Sequence, residues 1–548
     1  MCILRLHSAA DNPKNLLTLN PDTPYKFRMN DDRPSITPEK MGLTAARSLD
    51  FIWSKTVQTP PLTKTASVKP VKRFVPRTTK ISKPKEIFMY HSTRGQRAPC
   101  PDVLLNCLGL DWELHSMFLC KSQTLSDLLE NAGQPTDGGL GSKQSTESLD
   151  GFISKSSFYS SEYQDATGVE LAPEKTKKRP TKVTSISLEL KDPFLSKRAL
   201  AVALGNLYHE DIEVESSDAV GVLAAAYHLR FEDLERGCCR KMMNSIGSNT
   251  VCEYYSVGVK YHQEALEEAC ERWLEVNLTP KLSQCLQLRQ VPIDLLHKIL
   301  KSNRLFTYSE FNVFKTVALW TFFQLNPHTQ LMPSYNTILT FFNSLPKSSG
   351  LIEREEGEAF INIFMSLKLH GITETSSIHD VQTMNILPQS WVVKILAEHY
   401  NALQDGGDMS LAKDFASASI RRGFIMDDEP KYHSEVFSLH GFHFELRANQ
   451  DTTTRKYSFY LQRLKPGDPI LSFRECERHT FSMRADRNVD YRICVQYFDE
   501  NNQCETISTP VLHQQFGLGN NTNKSEVFSL ENLIPPLFVT YSFHFTST

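Results

Sequence analysis

The chain lacks a net charge of either sign, a C-x-x-C pair, a long apolar run and the common catalytic loop motifs, and each absence removes a class of function. Lysine and arginine total 60 against 63 aspartates and glutamates, a net charge of −3, so no global field draws the protein to nucleic acid or an anionic membrane. The 12 cysteines run from Cys2 to Cys504 and mostly sit inside apolar patterns, where a free thiol acts as a small hydrophobe; this predicts a reducing compartment. No stretch approaches the roughly 18 apolar residues of a membrane span, and the opening MCILRLHSAA is too short in apolar residues for a signal peptide. The expectation is an intracellular, soluble chain of the cytoplasm, the nucleus or both, in which the sequons at Asn520 and Asn523 are chance matches.

Catalytic equipment is equally sparse. There is no Walker loop, no G-x-S-x-G and no H-E-x-x-H, and Gly138-Gly139-Leu140-Gly141 lacks the flanking strand and helix of a phosphate cradle. Cys476-Glu477-Arg478-His479 offers two ligand types without the second pair that zinc needs. The chain therefore reads as non-enzymatic, with no cofactor, no metal and no small-molecule substrate.

What is present is length and pattern. At roughly 100–200 residues per domain, 548 residues predict about three folded units. The 40% hydrophobic share is below that of an average globular chain, which predicts that part of the length is loosely ordered beside three ordinary cores. Residues 1–85 fit that description: Lys69, Lys72, Arg73, Arg77, Lys80 and Lys83 alternate with Pro70, Pro76 and Pro84, a composition that blocks helix and resists collapse. Residues 131–182, rich in Gly, Ser, Thr and Lys, read as a second such stretch inserted in a domain.

Between them, DVLLNCLGLDWELHSMFL reads as two short strands turning at Gly109, followed by a helix through Leu125, Leu128 and Leu129. A strand at Ile186–Leu190 follows the insertion. Helical spacing then groups Leu200, Ala203, Leu204 and Leu207, and next Val220, Leu223, Ala224 and Tyr227. Further on, Leu266, Ala269, Cys270, Trp273 and Leu274 form an apolar stripe opposite Glu264, Glu267, Glu268 and Glu271. The neighbours Cys238 and Cys239 predict one buried and one exposed thiol. After Gly406-Gly407 the period becomes 2: Tyr491, Ile493, Val495 and Tyr497 share a face, and Val539, Tyr541, Phe543 and Phe545 oppose Phe538, Thr540, Ser542 and His544. With turn signals at 465–468 and 499–502, this predicts an antiparallel β-sandwich with Tyr457, Phe459 and Tyr460 as core.

The residues Asp102-Val103, Leu114-His115, Leu119 and Ser122, read with Leu207-Tyr208, Ala224-Ala225, Leu229, Leu234 and Cys238, resemble a BTB/POZ domain. Cys252, Tyr261, Leu266, Cys270, Trp273-Leu274, Ser309-Glu310 and Trp320 are similar to the BACK domain that often follows. Trp112-Glu113-Leu114-His115, Thr250-Val251-Cys252, Tyr254-Tyr255 and a β-rich tail opening at Gly441-Phe442-His443-Phe444 look like the germ cell-less branch.

The resemblance implies an α+β fold class. Its parts are a disordered basic tail over 1–85, a BTB/POZ α/β domain over 86–248 with a disordered insertion at 131–182, an all-helical BACK-like domain over 249–405, and a C-terminal antiparallel β-sandwich-like domain over 406–548.

It further implies a protein-interaction adaptor or scaffold. Ile87, Phe88, Met89 and Tyr90 are placed to be an exchanged strand of a homodimer. Leu128, Leu129 and Glu130 end the helix on the partner-facing BTB edge, where family members bind cullin-3 through a hydrophobic-x-Glu element; here the insertion occupies that place. His115 reads as a structural histidine, and Lys177, Lys178 and Arg179 as a nuclear import signal. Two classes stay open, a cullin-3 ubiquitin-ligase adaptor and a dimeric scaffold that presents a client through the β domain; neither involves direct nucleic acid or membrane insertion.

Overall fold

The computed structural model describes residues 101–133, 183–208, 214–409, 414–451, 453–471, 481–482 and 484–546. Its first part is built on a hairpin. Strands β1 (Val103–Cys107) and β2 (Leu110–Leu114) meet through Leu108 and Gly109, both at positive φ (52° and 69°), the two-residue turn whose twist suits paired strands. Alternation sends Val103, Leu105, Cys107, Trp112 and Leu114 inward, and the Trp112 indole N–H donates to the Cys107 carbonyl at 3.1 Å. Strand β3 (Thr184–Leu188) lies parallel to β1 in a three-stranded sheet ordered β2-β1-β3. It begins two residues before the expected Ile186 because pairing starts at Val103↔Thr184, while Ile186 still points inward opposite Leu105.

Helices cover this sheet and continue beyond it: α1 (Ser116–Leu119), α2 (Gln123–Gly133), α3 (Lys197–Gly205), α4 (Ala219–Leu229), α5 (Glu232–Met243), α6 (Val251–Tyr261), α7 (Glu264–Asn277), α8 (Ile293–Lys301), α9 (Glu310–Leu325), α10 (Tyr335–Ser344), α11 (Ile361–Met365), α12 (Thr375–Thr383) and α13 (Gln389–Gln404). Helix α4 differs from its expected face. Ala219, Val222, Leu223, Ala224, Ala225, Ala226 and Leu229 are buried, Val220 is only half-buried and Tyr227 is exposed. Three consecutive alanines are small enough for neighbours to close around most of the helix, so the inner face is wider than the expected one and turned away from Val220 and Tyr227. Cys238 and Cys239 on α5 are both buried, against the expected split, and burial pushes their thiols up to about 12 and about 11. In α7 the stripe is as expected, but its last turn, Glu275, Val276 and Asn277, is also enclosed.

After the short α14 (Phe415–Ala418) the chain becomes a sandwich of two antiparallel sheets. One is ordered β10 (Leu512–Phe516), β8 (Arg487–Phe498), β12 (Leu537–Phe545) and β4 (Ile420–Met426), with β9 (Cys504–Ser508) also on β8. The other is ordered β11 (Phe528–Glu531), β7 (Lys456–Leu464), β6 (Phe442–Gln450) and β5 (Tyr432–Leu439). The β-rich part thus opens at β4, ahead of Gly441-Phe442. Tyr457, Phe459 and Tyr460 are all buried, as expected.

Packing does not follow the expectation of three separate cores. One continuous apolar cluster runs from Val103 to Ile395 and a second fills the sandwich. A small third cluster of Val276, Phe306 and Phe538 bridges them, with the Phe306 and Phe538 rings edge to face at 5.3 Å. Strand β12 shows the effect: all nine positions are buried, because the face carrying Phe538, Thr540, Ser542 and His544 turns to the helices instead of water.

A buried ion pair lies at the same joint. Arg421 on β4 donates from Nε and Nη2 to the two carboxylate oxygens of Glu310, at 2.9 and 2.8 Å, and its backbone N–H adds a third bond at 3.0 Å. The side chains are 3% and 1% exposed. Burial pushes the Glu310 pKa up, and the guanidinium's charge and hydrogen bonds more than offset this, holding the carboxyl below its ordinary value. Two glycines permit the approach. A Cβ on Gly423 would sit 2.6 Å from the Thr307 carbonyl oxygen, and one on Gly371 2.6 Å from Glu310 Cγ.

Replacing Arg421 by methionine leaves a buried carboxylate without its counter-charge and should lower unfolding free energy in urea by about 3–5 kcal/mol, while Glu310→Met/Arg421→Met recovers most of the loss. Because the folded pKa of Glu310 lies below its unfolded value, the pair's contribution is complete above about pH 4.3 and fades as pH falls, so the gap between wild type and Arg421→Met should narrow in acid.

Candidate interaction surface

The partner-facing edge named from sequence lies at the end of α2. Leu125 is fully buried, Leu128 and Leu129 are half-buried against the core, and Glu130 alone of the expected trio faces solvent. Ile87, Phe88, Met89 and Tyr90, the basic Lys177, Lys178 and Arg179, and Cys476 to His479 lie outside the described residues.

Beside the start of α2 the structure opens a groove of about 1220 Å³, bounded by Lys121, Gln123 and Thr124, by Leu188 at the end of β3 and Leu190 beyond it, by Asn206 after α3, and by the Tyr227–Asp233 junction of α4 and α5. That exceeds the roughly 300–1,000 Å³ of a small-molecule pocket and suits a length of polypeptide. Two hydroxyls set its geometry: Ser122 Oγ donates to the Leu229 carbonyl at 2.7 Å and Thr124 Oγ1 to the His228 carbonyl at 2.9 Å, tying the start of α2 to the end of α4. Arg230 then turns left-handed at φ 54°, which stops α4 and lets the Phe231 N–H reach back to the Ala226 carbonyl. Glu232, Asp233 and Glu235 crowd the first turn of α5, where its dipole favours negative charge, and Lys121 and Arg230 supply the opposite sign.

One wall is fixed by Asp192, whose side chain is 3% exposed. It accepts from Lys260 Nζ at 2.7 Å, His228 Nε2 at 2.9 Å, the Tyr261 hydroxyl at 2.9 Å and the Phe194 N–H at 3.0 Å. Burial alone would raise its pKa; the donors, Lys260 and His228 first, hold it far below the carboxylate range. The same contact pushes the Tyr261 phenol well up, after burial as the larger cause. Sequence reasoning missed Asp192, although Asp-Pro-Phe ahead of a helix is a recognisable Asx-turn signal. His115 is buried, with Nδ1 3.2 Å from the Tyr208 hydroxyl, whose pKa burial lifts to about 12. Asp102 caps α1 by accepting from the Ser116 N–H and hydroxyl.

Among the described residues no group of three or more His, Cys, Asp or Glu side chains is arranged to hold a metal, and no helix is long and apolar enough to cross a membrane.

Comparison with known proteins agrees with this architecture. A family model described as BTBDG BTB/POZ domain matches residues 102–243, and one described as BTB/POZ domain-containing protein 16, C-terminal domain, matches residues 420–527. Mouse germ cell-less protein-like 2 is 25% identical over 415 residues, 73% of this chain and 71% of its own. Drosophila melanogaster protein germ cell-less is 23% identical over 246 residues, 40% of this chain and 43% of its own. Kelch-like protein 22 of Xenopus tropicalis is 25% identical over 126 residues, 23% of this chain and 20% of its own. The chain spans about half the length of germ cell-less protein-like 1 from mouse and human. The sheet, its helices and these matches define a BTB/POZ-domain protein. Along most of its length the chain is similar to the germ cell-less proteins.

Asp192→Ala should lower unfolding free energy by about 2–4 kcal/mol at neutral pH, since it strands the buried donors of Tyr261 and His228. The folded pKa being depressed, this contribution is present above the unfolded value near pH 4 and declines below it; guanidinium titrations at neutral and acid pH measure both.

Proposed function

We propose that the chain is a non-enzymatic protein-interaction adaptor or scaffold that self-associates through its BTB/POZ domain and presents a client through its C-terminal β domain. The division is that read from sequence: tail 1–85, BTB/POZ domain 86–248 with an insertion at 131–182, BACK-like helices 249–405 and β-rich domain 406–548. The observation carrying this reading is the joint of Glu310, Arg421, Phe306 and Phe538, which holds the sandwich on the helices, so that surfaces from distant parts of the chain keep one fixed relation. A scaffold needs that property. The turn at 499–502 is occupied, its Asn502 amide donating to the Met243 carbonyl at 3.4 Å, so the client surface falls to the remaining loops, the 465–468 turn among them.

The alternative is a substrate-recognition adaptor of a cullin-3 RING ubiquitin ligase, favoured by the open groove at α2 and the α4–α5 junction. The inward turn of Leu128 and Leu129 leaves the hydrophobic-x-Glu contact to be supplied from elsewhere. Light scattering on the full chain at micromolar concentration should give twice the monomer mass, reduced to one by Phe88→Asp; a monomeric wild type removes self-association. Co-precipitation with the cullin-3 N-terminal region, for the full chain and for a chain lacking 131–182, separates the readings. Capture by either supports the ligase adaptor, and capture by neither leaves the scaffold.

Localisation is open to a direct test. With Lys177, Lys178 and Arg179 as an import signal, changing all three to alanine should shift a fluorescent fusion from nucleus to cytoplasm, and an unchanged distribution discards the signal.

A further inference from the structure

The face of α13 that turns Val392, Ile395 and Ala402 inward also carries the half-buried His399, at the spacing of three, four and three that keeps residues on one side of a helix. Its imidazole meets that of His440, with ring centroids 5.1 Å apart and the planes tilted by 42°. His440 and Gly441, at φ 49° and 83°, form the two-residue turn between β5 and β6, and His440 is only 8% exposed. The pair therefore lies where α13 seats against one end of the sandwich. The seat is close: a Cβ on Gly407, just past α13, would come within 2.7 Å of the Phe442 ring.

Nδ1 of each ring is enclosed without a hydrogen-bond partner among the described residues. A neutral imidazole tolerates this, because it can hold its one proton on Nε2 and leave Nδ1 a bare acceptor. A charged imidazole cannot, since both nitrogens then carry hydrogen and the enclosed Nδ1–H has no acceptor. Nor is a counter-charge offered. The groups that act on His440 are His399, Arg487 on β8 and His370 ahead of α12, and none is an anion. His370 is turned to the Ala418 carbonyl at 2.9 Å, Asp408 is taken by Arg484 and Arg487, and Glu398, next to His399, pairs with Lys394 at 3.8 Å.

We propose that His399 and His440 form an acid-sensitive latch: the neutral rings let α13 seat on the β5–β6 turn, and protonating them parts the two. Burial lowers the pKa of both, and for His440, where His399, Arg487 and His370 add to it, the value falls to about 3. Each ring thus binds its proton more weakly in the closed joint than in an open one, where the ordinary value near 6.5 applies. The closed joint is fully favoured above that value and loses ground as pH falls below it. Between pH 7.5 and 5.5 this linkage makes opening about tenfold more frequent for each histidine, and about a hundredfold for the pair. Glu310, held below the ordinary carboxylate value, acts only in stronger acid. Mild acid therefore loosens the fixed relation of sandwich and helices at this end, whatever partners the chain holds.

Hydrogen exchange of the full chain, read by mass spectrometry at pH 7.5 and 5.5 and corrected for the intrinsic rate at each pH, tests the latch. Peptides covering α13 and residues 436–444 should lose about a hundredfold in protection at the lower pH, while peptides of α7, which holds no histidine, keep theirs. His399→Gln alone and His440→Asn alone should each reduce the loss to about tenfold, and the two together should abolish it; asparagine suits position 440 because it adopts positive φ readily. Wild type is decisive by itself, whether or not the variants fold: protection of α13 that is unchanged at pH 5.5, or an equal loss in α7, overturns the proposal. So does a loss that persists in the double variant.

Discussion

Glu310 and Arg421 stand 111 residues apart and are almost wholly removed from water, and the seating of the β-sandwich on the helices hangs on their meeting. An ion pair this deep gives little net stability over an apolar pair of the same volume. Its effect is on geometry. Two parallel N–H···O bonds and a backbone bond leave one way to seat β4 against α9, and β12 pairs with β4, β8 with β12, and β9 and β10 with β8. Orientation is transmitted strand by strand from one carboxylate to a whole sheet.

The same device recurs at other joints, each time with a carboxylate serving several donors inside apolar surroundings. Glu275 gathers Ser302, Arg272 and Arg304 beside the bridging cluster; burial raises its pKa, with Ser302 and Arg272 opposing. Asp408, in the segment after α13, takes both Arg484 and the fully buried Arg487, which also reaches the Thr546 carbonyl. Asp192 does the same work for the groove wall. Apolar contact holds these parts together, and the carboxylates decide at what angle.

The elements themselves were legible. The Leu108-Gly109 turn, the α7 stripe and the alternation of β8 and β12 are local patterns, and local pattern is what a sequence displays directly. Three things were not. The inner face of α4 depends on what closes around its alanines; the outer face of β12 is covered by helices more than 200 residues earlier in the chain; and Glu310, read only as part of the BACK-like pattern, owes its burial to a strand far downstream. Each is a consequence of long-range packing, to which hydrophobic periodicity is blind. Of the candidate site, the helix end carrying Leu128, Leu129 and Glu130 was legible as a helix, yet two of the three side chains expected to face a partner pack toward the core. The groove was missed because four separate segments build it and none is distinctive alone.

The sheet has a further property, which concerns its history during synthesis. Strand β4 is its first strand to leave the ribosome, and its sheet neighbour is β12, the last. Since β12 also separates β4 from β8, the middle of the sheet is laid down after its flanks, and Phe424, Met426, Val489 and Ile493 stay uncovered until residues 537–545 arrive. Without residues 537–545 the strands β4 and β8 share no partner, so two segments some 60 residues apart become one sheet only when β12 slides between them.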